Sequence, residues 1–206
     1  EIADIITSEG GEAVITDPDL PSGSDRVAAA LAQIDPDKIY DHVINLQGDL
    51  PEMNPHMLSA LSAALITGHF DIITQVAPLA AEEQPLEQVV KAVVSWPDGD
   101  ITQTGWALYF SRAPIPHGGI TDTDISATTP TELAAMWHHV GVYGWQRAAL
   151  ERFITLPPSA LERTEKLEQL RAIEAGMRIG AIAVDMAITG IDTESDLQAA
   201  VKRLKS

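Results

Sequence analysis

The sequence predicts an α/β fold: a mostly parallel sheet flanked by helices, with one small hairpin-like insertion. Short apolar runs alternate with amphipathic stretches that carry helix-capping residues, which is typical of strands alternating with helices. Two strand-like runs are joined through Pro97-Asp98-Gly99, a turn signal of hairpins. With 206 residues, 45% of them hydrophobic, the chain is long enough to bury a sizeable core.

Composition and charge narrow the possible partners. A formal net charge of −17 repels nucleic acid phosphates over most of the surface, so we expect no nucleic-acid partner. The chain has no cysteine, which excludes disulfides and thiolate chemistry. No apolar run is as long as a membrane span and no signal peptide is evident, so we expect a soluble cytoplasmic protein without a membrane partner.

The N-terminal part of the chain predicts two helices with a strand between them. Isoleucines on one face predict the first helix, which Gly10-Gly11 ends. Either Ser22 or Ser24 can cap the second helix. In order, the predictions are a helix over 1–9, a strand over 13–16, a loop over 17–23 and a helix over 25–34.

The stretch His42–Pro51 is the centre of the prediction. An apolar run from Val43 to Leu46 forms a short buried strand, and Gln47-Gly48-Asp49 turns the chain at its end. Ligands of open α/β sheets bind at the carboxyl ends of strands, so Asp49 is a candidate for handling a metal or a phosphate. An ordinary strand-to-helix turn explains the same residues equally well.

Caps and turn residues set the bounds of the remaining elements. Asn54 with Pro55 is a typical start of a helix, and Ser159 with Glu162 has the spacing of a capping box. A long polar loop over 113–130 is either the rim of an active site or an interface arm. In order, we predict a helix over 54–67, strands over 71–77, 89–95, 106–111 and 138–145, helices over 147–155 and 159–175, a strand over 179–186, and a final helix from a cap at Thr193 to Lys205.

Polar clusters in predicted loops carry the candidate chemistry. No phosphate-binding signature is complete, neither G-x-x-x-x-G-K-[ST] nor G-x-G-x-x-G, and the hydrolase and zinc-protease motifs are absent. In the first cluster, Ser22-Gly23-Ser24-Asp25-Arg26, free N–H groups at a helix start suit an anion or a base edge. A simple helix cap is the alternative.

Asp49 and Asp192 form the second cluster. Both precede predicted helices and follow apolar stretches that suit strands. Two carboxylates from separate strand ends are the usual way to hold Mg²⁺ against a substrate phosphate. Asp192 is otherwise a loop carboxylate beside the predicted cap, and the sequence does not decide whether the two acids meet.

Three further clusters have both a functional and a structural interpretation. Arg112, just past a predicted strand, suits a bidentate grip on a carboxylate or is a surface arginine. His138 and His139 point to opposite faces of a strand, so at most one of them faces a given site. The last cluster lies on one face of a predicted helix, where a solvated ion-pairing face is the alternative. Its members are Glu165, Glu168, Gln169 and Arg171.

Six stretches in a fixed order carry a family resemblance. They are Pro-Ser-Gly-Ser-Asp-Arg (21–26), Asn-Leu-Gln-Gly-Asp-Leu-Pro (45–51), Tyr-Phe-Ser-Arg-Ala-Pro-Ile-Pro (109–116), His-Val-Gly-Val-Tyr-Gly (139–144), Leu-Glu-Gln-Leu-Arg (167–171) and Thr-Gly-Ile-Asp-Thr-Glu-Ser-Asp-Leu (189–197). Any one of them alone is a weak signal. In this order and over this length, the chain resembles the 3-deoxy-manno-octulosonate (KDO) cytidylyltransferases.

The resemblance implies a nucleotidyltransferase with a Rossmann-like fold and a small dimerisation insertion. Such an enzyme transfers CMP from CTP to the anomeric hydroxyl of the acid sugar KDO and releases pyrophosphate, for lipopolysaccharide precursor synthesis. The resemblance also implies Mg²⁺ as cofactor and a homodimer. Two alternatives stay open: CMP activation of another acid sugar, such as a sialic-acid-like nonulosonate, and a non-catalytic relative that only binds a nucleotide or a partner.

Carried over position by position, the resemblance assigns Asp49 and Asp192 to the catalytic Mg²⁺ site. Ser22, Gly23 and Arg26 stand where the family holds the cytidine end of the nucleotide. The residues that would line the sugar pocket are Gln47, Arg112, His139, Tyr143, Glu168 and Gln169.

The chain departs from the family pattern at several positions. Leu50 replaces an acid beside the metal site, Ser24 a common threonine, and His138 an arginine. An Asn-Xaa-Val-Lys pattern keeps only Val90 and Lys91.

The domain organisation is also an expectation from the resemblance. We expect residues 1–206 to form a single nucleotidyltransferase domain that lacks the family's N-terminal strand and its basic, glycine-containing phosphate-binding loop. The arm over 113–137, with residues 138–165, is the expected dimer interface.

Overall fold

A six-stranded mixed sheet with helices on both faces organises the chain. The computed structural model describes residues 2–51, 53–121, 134–187, 190–191 and 194–204. The strands are β1 (His42–Asn45), β2 (Ile72–Pro78), β3 (Lys91–Ser95), β4 (Gly105–Ser111), β5 (Trp137–Gln146) and β6 (Ile179–Ala183). The helices are α1 (Ile2–Ser8), α2 (Gly23–Ile34), α3 (Pro55–Ile66), α4 (Arg147–Phe153), α5 (Ala160–Glu165), α6 (Gln169–Glu174) and α7 (Glu194–Leu204).

The strand pairings correct the prediction of a mostly parallel sheet. The strand order is β1-β5-β2-β6-β4-β3, and among the described strands only β2 and β6 pair in parallel. β5 lies between β1 and β2 and is antiparallel to both. β4 lies between β6 and β3 and is also antiparallel to both neighbours. Such insertions depend on contacts between segments that are distant in sequence, so an alternation of strands and helices does not reveal them.

The hairpin insertion is confirmed. β3 and β4 pair antiparallel, and Pro97–Gly99 forms a short 3₁₀ turn between them. The first residues of β3, Lys91 and Ala92, also pair with the start of β5, so the strand pairings close into a ring.

The predicted helix caps are confirmed where the structure describes them. The Ser22 hydroxyl accepts from the Asp25 N–H at the start of α2 (3.3 Å), and the Asn54 side chain accepts from the His56 N–H in α3 (2.9 Å). The predicted capping box is present at the start of α5. Thr193, the predicted cap of α7, lies outside the described residues.

One predicted strand is absent, and one predicted helix is divided. Residues 13–16 form no strand, and Ile15 is exposed, because none of the described strands pairs with this segment. The predicted helix over 159–175 is two helices, since Lys166 adopts a left-handed conformation (φ 56°) that ends α5.

One arginine spans the break between α5 and α6. Arg171 in α6 donates from Nε to Oε2 of Glu162 in α5 (2.8 Å), and its other contact to the same carboxylate makes the pair bidentate. The guanidinium carbon also lies 4.6 Å from the centre of the Phe153 ring. The angle between the two short helices is therefore fixed by side chains.

The central strand of the prediction is shorter and less buried than expected. β1 ends at Asn45, and Ile44 and Leu46 are 37% and 43% exposed. β1 stands at one end of the strand order, which leaves it a single neighbouring strand among the described elements. An edge position explains why an apolar run remains partly exposed.

The core lies on both faces of β2, whose residues are buried along most of the strand. Ile72 belongs to the larger cluster, which packs the sheet against α2, α4 and α6. Ile73 points to the other face, where it packs with Leu61 and Leu65 of α3. No helix within the described ranges is long and apolar enough to cross a membrane.

Candidate active site

The turn after β1 presents the carboxylate of Asp49 at the surface. The Leu50 N–H donates to the Gln47 carbonyl (3.2 Å), which closes the turn and exposes Asp49 at its tip. Within the described part of the chain, the Asp49 carboxylate has no hydrogen-bond partner. Leu50, which replaces an acid of the family pattern, is buried, so its side chain belongs to the apolar interior beside the turn.

A segment from the far end of the chain lies against Asp49. The Ile191 N–H donates to the Asp49 carbonyl (3.0 Å), and a Cβ added at Gly190 would lie 3.2 Å from Asp49 Oδ2. Asp192 itself lies outside the described residues. The residue that precedes it in the sequence therefore contacts Asp49.

The start of α2 faces the same turn. A Cβ added at Gly23 would lie 3.5 Å from Nε2 of Gln47, which is half-buried. The Ser22 hydroxyl makes its hydrogen bonds within the first turn of α2, since it also donates to Oδ2 of Asp25 (2.7 Å).

Arg26 holds the loop before α2. Its guanidinium donates to the carbonyls of Asp17 (3.0 Å), Pro18 (2.8 Å) and Leu20 (3.3 Å). These bonds fix the conformation of the loop that leads to Ser22. The Arg26 guanidinium is therefore engaged in hydrogen bonds within the protein.

A buried polar cluster lies beyond the start of α2. Ser24 is fully buried and donates to Oε1 of Glu168 at the N-cap of α6 (2.6 Å). Oε2 of Glu168 is buried and has no hydrogen-bond partner among the described residues, and the same holds for Nδ2 of Asn45. Asn45 pairs with Tyr143 across β1 and β5. Buried polar atoms without partners are rare, and they mark places where a ligand or water completes the bonding.

His139 and Tyr143 on β5 line the same region. Their rings lie 5.5 Å apart, and Nε2 of His139 lies 3.0 Å from the Thr74 hydroxyl. Burial lowers the pKa of His139 to about 3, and the nearby His138 adds to that shift. Burial, followed by the charge of Glu168, raises the pKa of Tyr143. At neutral pH both side chains are therefore uncharged groups that can donate a hydrogen bond.

Arg112 is bound by backbone groups at the end of β4. Its Nε donates to the Glu165 carbonyl and its Nη1 to the Glu87 carbonyl, both at 3.0 Å. Lys91, fully buried, donates to the carbonyls of Arg112 (2.9 Å) and Leu86 (2.6 Å), and burial lowers its pKa. Arg112 thus grips no carboxylate through its guanidinium within the described residues.

The cytidylyltransferase family matches residues 1–179 of the chain. The 3-deoxy-manno-octulosonate cytidylyltransferase of Parvibaculum lavamentivorans is 45% identical over 201 residues, which cover 97% of this chain and 71% of that protein. The chain belongs to the 3-deoxy-manno-octulosonate cytidylyltransferase family.

Further relatives agree with this membership. The 3-deoxy-manno-octulosonate cytidylyltransferase of a Bradyrhizobium species is 46% identical over 205 residues, covering 99% of this chain and 76% of that protein. A solved structure of CMP:2-keto-3-deoxy-manno-octonic acid synthetase complexed with CTP superposes with a TM-score of 0.79 at 29% identity. That match covers 100% of this chain and 78% of the solved chain.

Among the residues assigned from the family pattern, the structure forms two neighbouring groups. Gly23, Gln47 and Asp49 meet at the turn after β1. A second group lies around Glu168, with which Gln169, buried at the start of α6, is continuous in sequence. The second group consists of His139, Tyr143, Glu168 and Gln169.

One predicted grouping is wrong. Glu165 ends α5, while Glu168 stands before α6, so the two acids do not share one helical face. Glu165 instead accepts hydrogen bonds from the Ser111 hydroxyl (2.7 Å) and the Arg112 N–H (3.0 Å). His138 points away from His139 and lies 3.3 Å from the Glu83 carboxylate, as the alternation of strand side chains predicts.

Two polar residues of the site, Asn45 and Thr74, were missed in the sequence, whereas Ser24 stood in the first candidate cluster without its partner being predicted. Asn45 stands inside a stretch of the family pattern, which assigned its side chain no role. Thr74 had a weaker signal, as a single hydroxyl in an otherwise apolar strand. Only the tertiary contacts reveal their partners.

Proposed function

We propose that the protein transfers CMP from CTP to the anomeric hydroxyl of KDO and releases pyrophosphate. The observation that carries the proposal is the hydrogen bond between the Ile191 N–H and the Asp49 carbonyl (3.0 Å). It joins two segments that are distant in sequence and that each carry one of the acids assigned to the metal site. Family membership supplies the reaction class, and this contact supports a shared site for Asp49 and Asp192.

The donor set suits Mg²⁺. Asp49 offers an exposed carboxylate that has no partner among the described residues, and glycine at position 190 leaves room beside it. Carboxylate oxygens are the ligands that Mg²⁺ takes from proteins, usually one or two together with substrate phosphates. We propose that Asp49 and Asp192 hold the ion. Bound Mg²⁺ supplies charge neutralisation at the triphosphate during nucleotidyl transfer.

The two residue groups suit the two substrates. Ser22 and Gly23 start α2 beside Gln47, where backbone N–H groups can approach the nucleotide closely. His139 and Tyr143 offer uncharged donors, and Glu168 offers an acceptor. A sugar rich in hydroxyl groups needs such a mixture of fixed donors and acceptors.

The two assigned arginines shape the walls of the site. The guanidinium of Arg26 binds loop carbonyls before α2, and that of Arg112 binds carbonyls of Glu87 and Glu165. We propose that Arg26 orders the nucleotide side of the site and that Arg112 orders the sugar side.

We propose a Rossmann-like nucleotidyltransferase organisation and action in the cytoplasm. We also propose a homodimer formed through the arm over 113–137 together with residues 138–165. Of that arm, residues 122–133 lie outside the described residues.

Pyrophosphate release by the full-length protein tests the function. With CTP, KDO and Mg²⁺, we expect release that depends on all three. A nonulosonate offered in place of KDO separates the two acid-sugar hypotheses, and faster turnover of the nonulosonate would contradict the choice of KDO. No release with either sugar would favour the non-catalytic alternative.

Asp49→Asn tests the metal assignment within the same assay. It removes a charged ligand but keeps the shape of the side chain, so we expect turnover to fall roughly a hundredfold or more. The melting temperature should stay near that of the wild type, because Asp49 is exposed. Unchanged turnover would remove Asp49 from the site.

A further inference from the structure

Ser24 makes a buried contact that helix capping does not explain. It lies in the first turn of α2 and is fully buried, but Ser22 is the residue that caps this helix. The Ser24 hydroxyl instead donates a 2.6 Å hydrogen bond to Oε1 of Glu168, 144 residues further along the chain. A buried hydroxyl bound to a carboxylate orients that carboxylate strongly, because hydrogen bonds to charged groups are the stronger ones.

Within the described part of the chain, the Glu168 carboxylate is held through one of its two oxygens. It occupies the N-cap of α6, yet its side chain makes no capping bond. Oε1 accepts from Ser24, whereas Oε2 is buried and has no donor among the described residues. The carboxylate also lies near enough to the buried Tyr143 for its charge to act on that side chain. A ligand hydroxyl would complete the bonding of Oε2.

We propose that Ser24 is a positioning residue for the acceptor sugar: it fixes the Glu168 carboxylate so that Oε2 accepts from a sugar hydroxyl. The inference rests on the proposed function, since it needs a hydroxyl-bearing acceptor in this pocket. Ser24 follows Ser22 and Gly23 in the same helical turn. The hydrogen bond from Ser24 to Glu168 therefore joins the segment proposed to bind the nucleotide to the carboxylate proposed to bind the sugar.

Ser24→Ala tests this role in steady-state kinetics with full-length protein. We expect the KM for KDO to rise about tenfold, which corresponds to the loss of one hydrogen bond to a charged group. The KM for CTP should stay within about twofold, since the residues proposed to contact CTP are Ser22 and Gly23 rather than Ser24. Ser24→Thr keeps the hydroxyl, and we expect it to restore most of the wild-type KM for KDO.

A second pair of variants separates positioning from general stability. Asn54→Ala removes the cap of α3, on the opposite face of the sheet, and should lower the melting temperature without changing the ratio of the two KM values. In a Glu168→Gln background, Ser24→Ala should raise the KM for KDO far less than in the wild type, because the two residues act through one contact.

The outcomes distinguish the two proposals. An inactive wild type with CTP, KDO and Mg²⁺ would contradict the proposed function. An active wild type whose Ser24→Ala variant raises both KM values equally, or neither, would contradict the positioning role alone. If Ser24→Ala does not fold, Ser24→Cys replaces it with the same expectation, since a thiol is close in shape but a weak donor.

Discussion

The buried carboxylate of Asp35 is bound by the guanidinium of Arg147, and this pair joins the end of α2 to the start of α4. Arg147 also donates from Nη2 to the Asp35 carbonyl (3.0 Å). On its other side, the Asp35 carboxylate accepts from the N–H groups of Ile39 (2.9 Å) and Tyr40 (3.0 Å). One acid thus closes the turn after α2 and holds two helices together.

Asp35→Asn should lower the melting temperature at neutral pH by several degrees, since Arg147 would lose its buried counter-charge. Lys38→Met is the matched control, because the pair of Lys38 with Glu151 is largely exposed and contributes little. Differential scanning calorimetry of the two variants measures the contrast. Equal losses would mean that the buried pair has no special role.

The same pair predicts a loss of stability in acid. Burial alone raises the pKa of Asp35, but bonds from Tyr40, Ile39 and Arg147 outweigh burial and lower this pKa below its usual 3.8. A group whose folded pKa is lowered stabilises the protein above its unfolded pKa, and that contribution is lost as the pH falls through the folded pKa. The difference between wild type and Asp35→Asn should therefore shrink below about pH 4.

His139 predicts a second pH dependence at milder acidity. Its folded pKa is lowered to about 3, so unfolding allows the imidazole to take a proton below its unfolded pKa of 6.5. From pH 8 to pH 5 this linkage should cost about 2 kcal/mol of unfolding free energy. Chemical denaturation across this range measures the loss, which should disappear in His139→Gln. His56→Gln, at an exposed position on α3, should retain it.

Gly190→Ala tests the packing around Asp49. The added Cβ would lie 3.2 Å from Oδ2 and crowd the carboxylate, so we expect the Mg²⁺ concentration for half-maximal turnover to rise several-fold. Gly48→Ala is the control, since a Cβ there meets nothing within 4 Å. Mg²⁺ titrations of pyrophosphate release compare the two, and identical curves would contradict the contact.

Gly144→Ala tests the packing of α3 on the sheet. The added Cβ would lie 2.4 Å from Cδ2 of Leu61, so we expect a loss of about 1–3 kcal/mol of unfolding free energy. Gly141→Ala lies on the same strand, where a Cβ meets nothing within 4 Å, and should change stability far less. Urea denaturation measures the free energy of unfolding of both variants. A similar loss in both would show that strand propensity, rather than packing against Leu61, causes the change in stability.

Local signals predicted most of the elements. The cap at Asn54 and the turn at Pro97–Gly99 act through residues close in sequence, and both appear where the pattern placed them. The strand order could not be predicted, because it depends on contacts between residues that are distant in sequence. β5 enters the sheet between β1 and β2, and only packing among distant segments decides such an insertion.

The site divides in the same way. The family pattern indicated Glu168 and Tyr143, and these lie in one region of the structure. It did not indicate that Ser24 would be the hydrogen-bond partner of Glu168, because nothing local links positions so far apart. The helical periodicity that grouped Glu165 with Glu168 failed at Lys166, a single left-handed residue that no capping or breaker residue announced.

The interruption at Lys166 makes α6 a separate short helix rather than the last turns of a long one. The orientation of α6 relative to α5 depends on the bidentate ion pair between Arg171 and Glu162. Because Glu168 directly precedes α6, the setting of its carboxylate depends on the orientation of this short helix as well as on the hydrogen bond from Ser24. Substitutions around this short helix would therefore alter the setting of Glu168 while leaving the strand pairings of the sheet unchanged.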